Sequence, residues 1–120
     1  MTQAQIVREF PADPASVALL LAGPAAAGLW PDAADAEPVV SLGPPMRSGV
    51  GFVVDITVTE AALGNIRGRL ALVPSGGAPT ATSARLLLTG ARASAATLRQ
   101  RGAWFLDELS SLAVARSSAA

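Results

Sequence analysis

Alternation dominates the middle of the chain. In Val50-Gly51-Phe52-Val53-Val54-Asp55-Ile56-Thr57-Val58-Thr59 the even positions from Phe52 to Val58 are large and apolar, as is Val50, while the odd ones are mostly small or polar. A period of two predicts a strand with one face buried and the other wet, as in an antiparallel sheet. Ile66 to Val73 predicts a second such strand, with Ile66, Leu70 and Leu72 inward and Arg67 and Arg69 outward. Thr80 to Thr89 predicts a third, with Leu86 and Leu88 inward and Arg85 outward. Ala61 to Asn65 and Pro74 to Pro79 supply the turns between them.

The pattern changes period after Gly90. Leu98, Phe105, Leu109 and Leu112 fall three or four residues apart, with Gly102 at the intervening step, and share one face of a helix. From Ala93 to Arg116 that helix would run roughly 36 Å, about the width of a small domain. At the other end, Gln3 to Phe10 predicts a first strand whose alternation is ambiguous. Ile6 and Phe10 point one way with Arg8 between them, and Val7 points the other. Asp13 is a good N-cap and Pro14 suits a first helical position; Val17, Leu20 and Leu21 give the helix its apolar face, and Gly23-Pro24 ends it. Pro24 to Trp30 predicts a second short helix, Asp32 to Pro38 an acidic loop, and Val39 to Leu42 a short strand. Gly43-Pro44-Pro45 breaks that strand, since proline gives no N–H to a ladder. Five strands are expected.

Strands joined by short turns form a meander, and only the C-terminal helix is long enough to cover its apolar face. The predicted architecture is α+β: a curved antiparallel sheet wrapped around a long C-terminal helix, with two short helices after the first strand. Residues 1–120 make one domain, because two would each be too small to bury a core, and residues 117–120 read as a frayed tail.

Composition narrows the chemistry. Apolar residues make up 51% of the chain and charged ones 15%, with no net charge, so the electrostatic attraction used for nucleic acid or anionic lipid is missing. There is no Cys, His or Tyr. That removes thiolate chemistry, the commonest general base and the commonest metal ligand, and no metal or cofactor is expected. Nothing has the form of a nucleophile–base pair, so no catalytic residue is assigned. The longest apolar run, Val17 to Leu29, is short for a membrane span and is broken by Gly23-Pro24. The first five residues lack the form of a signal peptide. A cytoplasmic location is the expectation. Arg8, if buried, needs an acidic partner or a ligand carboxylate; turned outward by strand twist it needs neither. Thr80 and Thr82 place hydroxyls at a cavity mouth or serve as ordinary strand residues.

The element order and several short motifs resemble the START-like, or SRPBCC, superfamily of polyketide cyclase/dehydrase and lipid-transfer proteins. Phe10-Pro11-Ala12-Asp13-Pro14-Ala15-Ser16-Val17 is similar to its opening, Leu29-Trp30-Pro31 to its Trp-Pro after the second short helix, and Trp104 to Leu109 with the Ala115 to Ala120 tail to the ending of actinobacterial members. That resemblance implies the helix-grip fold and an apolar cavity between sheet and helix. The lining it implies is Phe52, Val54, Ile56, Leu70, Leu72, Leu86 and Leu88 from the sheet, with Trp30, Phe105, Leu109 and Gly102 above. Read from the residues alone, the same side chains make a filled core, each worth roughly 1.5–3 kcal/mol when buried. Gly102 fits either a space left for a ligand or a close backbone approach, since Gly costs a helix about 1 kcal/mol against Ala.

Three functions follow. The first is binding of a small hydrophobic molecule such as a lipid, isoprenoid or polyketide. The second is a cyclase or dehydratase acting by confinement, and the third a structural or interaction domain with a filled core. No nucleic-acid partner or stable membrane insertion is expected, and the chain reads as a monomer or homodimer.

Overall fold

The structure, a computed structural model, describes residues 2–31, 38–76 and 78–119. Its elements are β1 (Thr2–Phe10), α1 (Pro14–Ala22), a 3-10 turn (Ala26–Leu29), β2 (Val39–Leu42), β3 (Met46–Ser48), β4 (Gly51–Glu60), β5 (Gly64–Ser75), β6 (Ala78–Gly90) and α2 (Ala95–Ala119). The acidic stretch Asp32 to Glu37, Gly77 of the second turn and Ala120 lie outside the described residues.

Asp13 caps α1 by accepting hydrogen bonds from the Ser16 hydroxyl at 2.6 Å and the Ser16 N–H at 3.2 Å. The Ser16 hydroxyl, above all, holds the Asp13 carboxyl below its ordinary range. Gly23 closes the helix, its N–H donating to the Leu20 carbonyl. The second short helix expected over Pro24 to Trp30 is a single 3-10 turn. Gly28 within it and Pro31 just beyond leave too few residues for an α-helix to propagate.

Every strand pairing is antiparallel, and the order is β1-β6-β5-β4-β2, with β3 also on β4. The sheet therefore has six strands where five were expected. The Gly43-Pro44-Pro45 break is real, but the chain returns to the same neighbour after it. Val39–Leu42 pairs with Thr59–Ile56, and Met46–Ser48 with Val53–Gly51. Two prolines without N–H groups split one edge into two pieces.

Register aligns the apolar residues into rows. Ile6, Leu86, Leu70 and Val54 are successive partners across four strands, as are Ala4, Leu88, Gly68 and Ile56. Both rows face α2, which buries Leu98, Phe105, Leu106, Leu109 and Ala113 against them in one apolar cluster. The four large side chains of that set, at roughly 1.5–3 kcal/mol each, hold the helix on the sheet. Ser94 caps α2, accepting from Thr97 N–H at 3.1 Å through its hydroxyl and from Leu98 N–H at 3.0 Å through its carbonyl, so the helix starts at Ala95 rather than Ala93. Helical backbone continues to Ala119. Among the described residues no helix is long and apolar enough to cross a membrane.

Candidate functional site

Along β4 the even positions Val54, Ile56 and Val58 are fully buried, and the next even position is Glu60. Strand periodicity sends its side chain to the same inner face, and the residue is 2% exposed. Two donors converge on one carboxylate oxygen. The Trp30 indole N–H donates to Glu60 Oε2 at 2.9 Å, and the Arg101 Nε–H donates to the same oxygen at 3.3 Å. The other oxygen, Oε1, is buried and has no hydrogen-bond partner among the described residues.

Three elements build this cluster. Trp30 follows the 3-10 turn, where its ring packs against Phe105 of α2 with centroids 6.0 Å apart and planes at 49°. Arg101 lies between Leu98 and Phe105 on the α2 stripe, at the three- and four-residue steps that bring it toward the sheet. Its side chain stays 24% exposed, so the guanidinium reaches Glu60 from the edge of the core. Glu60 pairs with Gly64 across the β4–β5 turn, and Gly64 adopts the left-handed φ of 69° that the turn requires. The pair is neutral overall, and it leaves one aimed acceptor at the end of an aliphatic face. Such a group can take a hydrogen bond from a donor that reaches it. Among the described residues no three His, Cys, Asp or Glu side chains gather as metal ligands would.

The residues expected to line a cavity are brought together, with differences. Val54, Ile56, Leu70, Leu72, Leu86, Leu88, Trp30, Phe105 and Leu109 all join the buried cluster. Phe52 sits at its margin, half-buried, with the Arg47 guanidinium 5.8 Å over its ring. At Gly102 a close approach accounts for the glycine. A Cβ there would lie 2.5 Å from Ile6 Cδ1 and 3.0 Å from Leu88 Cδ1, so the helix backbone rests on the sheet side chains.

The polar residues differ more. Arg8 is neither buried nor turned to the outer face. It shares a row with Ala84 and Leu72 but stands at the sheet edge, where its Nε–H donates to Asp107 at 3.1 Å. Thr82 is fully buried, and its hydroxyl donates to the Ala12 carbonyl at 2.6 Å, pinning the turn between β1 and α1. That bond occupies its only hydrogen, so Thr82 is a structural tie. Thr80 is exposed.

Clefts formed by the described residues lie outside this core. One of about 480 Å³ lies on the outer sheet face among Asp55, Thr57, Arg67, Arg69, Leu87 and Thr89. Another, about 390 Å³ and apolar, runs between α1 and the β3–β4 end, bounded by Leu19, Pro45 and Phe52. A third, about 310 Å³, opens at the Glu60 end of the sheet, where Gly64, the register partner of Glu60, lines it with Leu63, Asn65, Ala91 and Arg92.

Reading the sequence missed Glu60 and Arg101. The signal was available, because Glu60 continues the even-numbered stripe of Phe52, Val54, Ile56 and Val58 by one more step. Ending the strand at Thr59 hid it.

No family model matches the chain, and no curated protein matches it. Solved structures do share its fold. The protein TTHA0849 of Thermus thermophilus superposes with a TM-score of 0.65 at 14% identity, over 96% of this chain and 99% of that one. The protein CV1439 of Chromobacterium violaceum superposes with a TM-score of 0.58 at 13% identity, over 94% of this chain and 98% of that one. At such identities the likeness is one of fold: an antiparallel sheet with a long C-terminal helix across its face.

Proposed function

We propose that the chain is a START-like domain of the helix-grip type that binds one small hydrophobic molecule between the sheet and α2, at the Glu60 end. Element order and the shared fold of the two solved structures support the architecture. The observation that carries the binding reading is the free oxygen of Glu60. A buried carboxylate costs several kcal/mol unless its oxygens find donors. Among the described residues Oε2 has two and Oε1 has none. A bound molecule that supplies one donor removes that cost, and its apolar body suits the aliphatic face beside it.

The geometry favours one end over the whole length of the helix. Ile6 and Leu88 close the space beneath Gly102, so a ligand sits beyond that point, toward the β4–β5 turn. The same contact favours a second reading, in which the interior is solid throughout and the domain serves as a structural or interaction module. Native mass spectrometry of freshly purified protein separates the two. Binding predicts an adduct of a single small molecule that is lost on unfolding. Bare chain mass, together with no thermal shift across a panel of hydrophobic compounds, favours the solid interior.

A further inference from the structure

We infer that the molecule taken at the Glu60 end is a neutral alcohol or phenol, with an apolar body and one hydroxyl that donates to Glu60 Oε1. The inference rests on the binding reading above and adds the chemistry of the head group. Three features select it. Glu60 and Arg101 cancel in charge, and Arg101 is already bonded to Oε2. A ligand carboxylate would bring a second negative charge beside the unpartnered Oε1, and the guanidinium charge that could hold it is already offset by Glu60. An ammonium group would satisfy Oε1 but would set a second cation beside the guanidinium and lose its own hydration. A hydroxyl brings one donor to one orphaned acceptor and no charge. Its own oxygen can face the exposed side of the cluster, where Arg101 reaches water. Further hydroxyls would find Val58 and Ile66, the buried apolar residues next along the inner face, and go unpartnered.

The two tryptophans make the test direct, because Trp104 is 54% exposed and remote in environment from the buried Trp30. In a Trp104→Phe protein, emission reports Trp30 alone. That protein is titrated with 1-decanol, decanoate and decylamine, which share one chain and differ in head group. The alcohol is expected to bind about tenfold more tightly than either ion, the scale of one net hydrogen bond. Glu60→Gln keeps the volume and an acceptor oxygen but leaves Arg101 uncompensated, so decanoate is expected to become the tightest of the three. Decanoate or decylamine binding the parent as tightly as decanol overturns the head-group inference while ligand binding stands. An unchanged order in a folded Glu60→Gln protein overturns it too. If none of the three moves Trp30 emission or the melting temperature, the binding reading falls and takes the inference with it. Circular dichroism reports whether the variant folds; if it does not, the order in the parent protein decides.

Discussion

Arg8 of β1 and Arg101 of α2 each bond a carboxylate across the boundary between sheet and helix, Asp107 at 3.1 Å and Glu60 at 3.3 Å. Length and chemistry are nearly the same. Access to water is not: the first pair has side chains 42% and 64% exposed, the second 24% and 0%. At the first, water screens the attraction and satisfies whatever the partner leaves free, so the bond is worth about 0.2–1 kcal/mol. At the second, water is excluded from Glu60, and the loss of a donor leaves charge with no substitute. Burial on one side decides what an ion pair can do. The wet pair is a clasp. The dry one leaves a buried oxygen, Oε1, with no donor among the described residues.

Substitutions break the comparison in order of size. Arg101→Leu strands the buried carboxylate and is expected to cost about 3 kcal/mol by urea unfolding, the low end for a buried pair because Arg101 is partly wet. Glu60→Leu is expected to cost less, since the guanidinium can turn to water and the orphaned oxygen disappears; equal losses would show that the two ends are not different in kind. Gly102→Leu, on the stripe between the two pairs, is expected to cost about 2 kcal/mol by driving the helix off Ile6 and Leu88. A fully stable Gly102→Leu protein would mean that the interior there is open. Arg8→Leu is expected to change stability by less than about 1 kcal/mol, with the difference shrinking at high salt.

A last substitution tests a carboxylate outside the comparison. Asp13 has its carboxyl held below the ordinary range in the folded protein, so its contribution is complete above that range and is lost as pH falls through the folded value. The stability gap between the parent and Asp13→Ala, about 1 kcal/mol near neutrality for an N-cap, is expected to close in the acid range. A gap that persists below pH 3 would mean that the cap does not depend on the ionised carboxyl.

Most of the frame is legible in the sequence because it is periodic. The strands around Val54, Leu70 and Leu86 alternate cleanly, and the Leu98 to Leu112 stripe can only be a helix face. The Asp13 cap and the Gly23 stop were readable from residue chemistry alone. Where local signals conflict, the reading fails. Pro44 and Pro45 announce a break, and nothing in three residues as short as Met46-Arg47-Ser48 says that the chain rejoins the sheet. The site was harder still. A charged residue at the end of an apolar stripe looks like the start of a turn, and only the tertiary fold brings Trp30, thirty positions earlier in the chain, onto Glu60. Thr82 shows the converse, for its hydroxyl looked available and is spent on the Ala12 carbonyl.

Trp30 is bonded to the carboxylate whose other oxygen is proposed to meet a ligand donor. The most direct measurement is the pair of tryptophan indole N–H resonances in a ¹⁵N spectrum, followed while 1-decanol is added. The Trp30 resonance, assigned by its persistence in Trp104→Phe, is expected to shift with saturation while that of Trp104 stays in place, and the shift should vanish in Glu60→Leu. A Trp30 resonance that does not move at saturating decanol, or that moves equally in Glu60→Leu, would contradict the account.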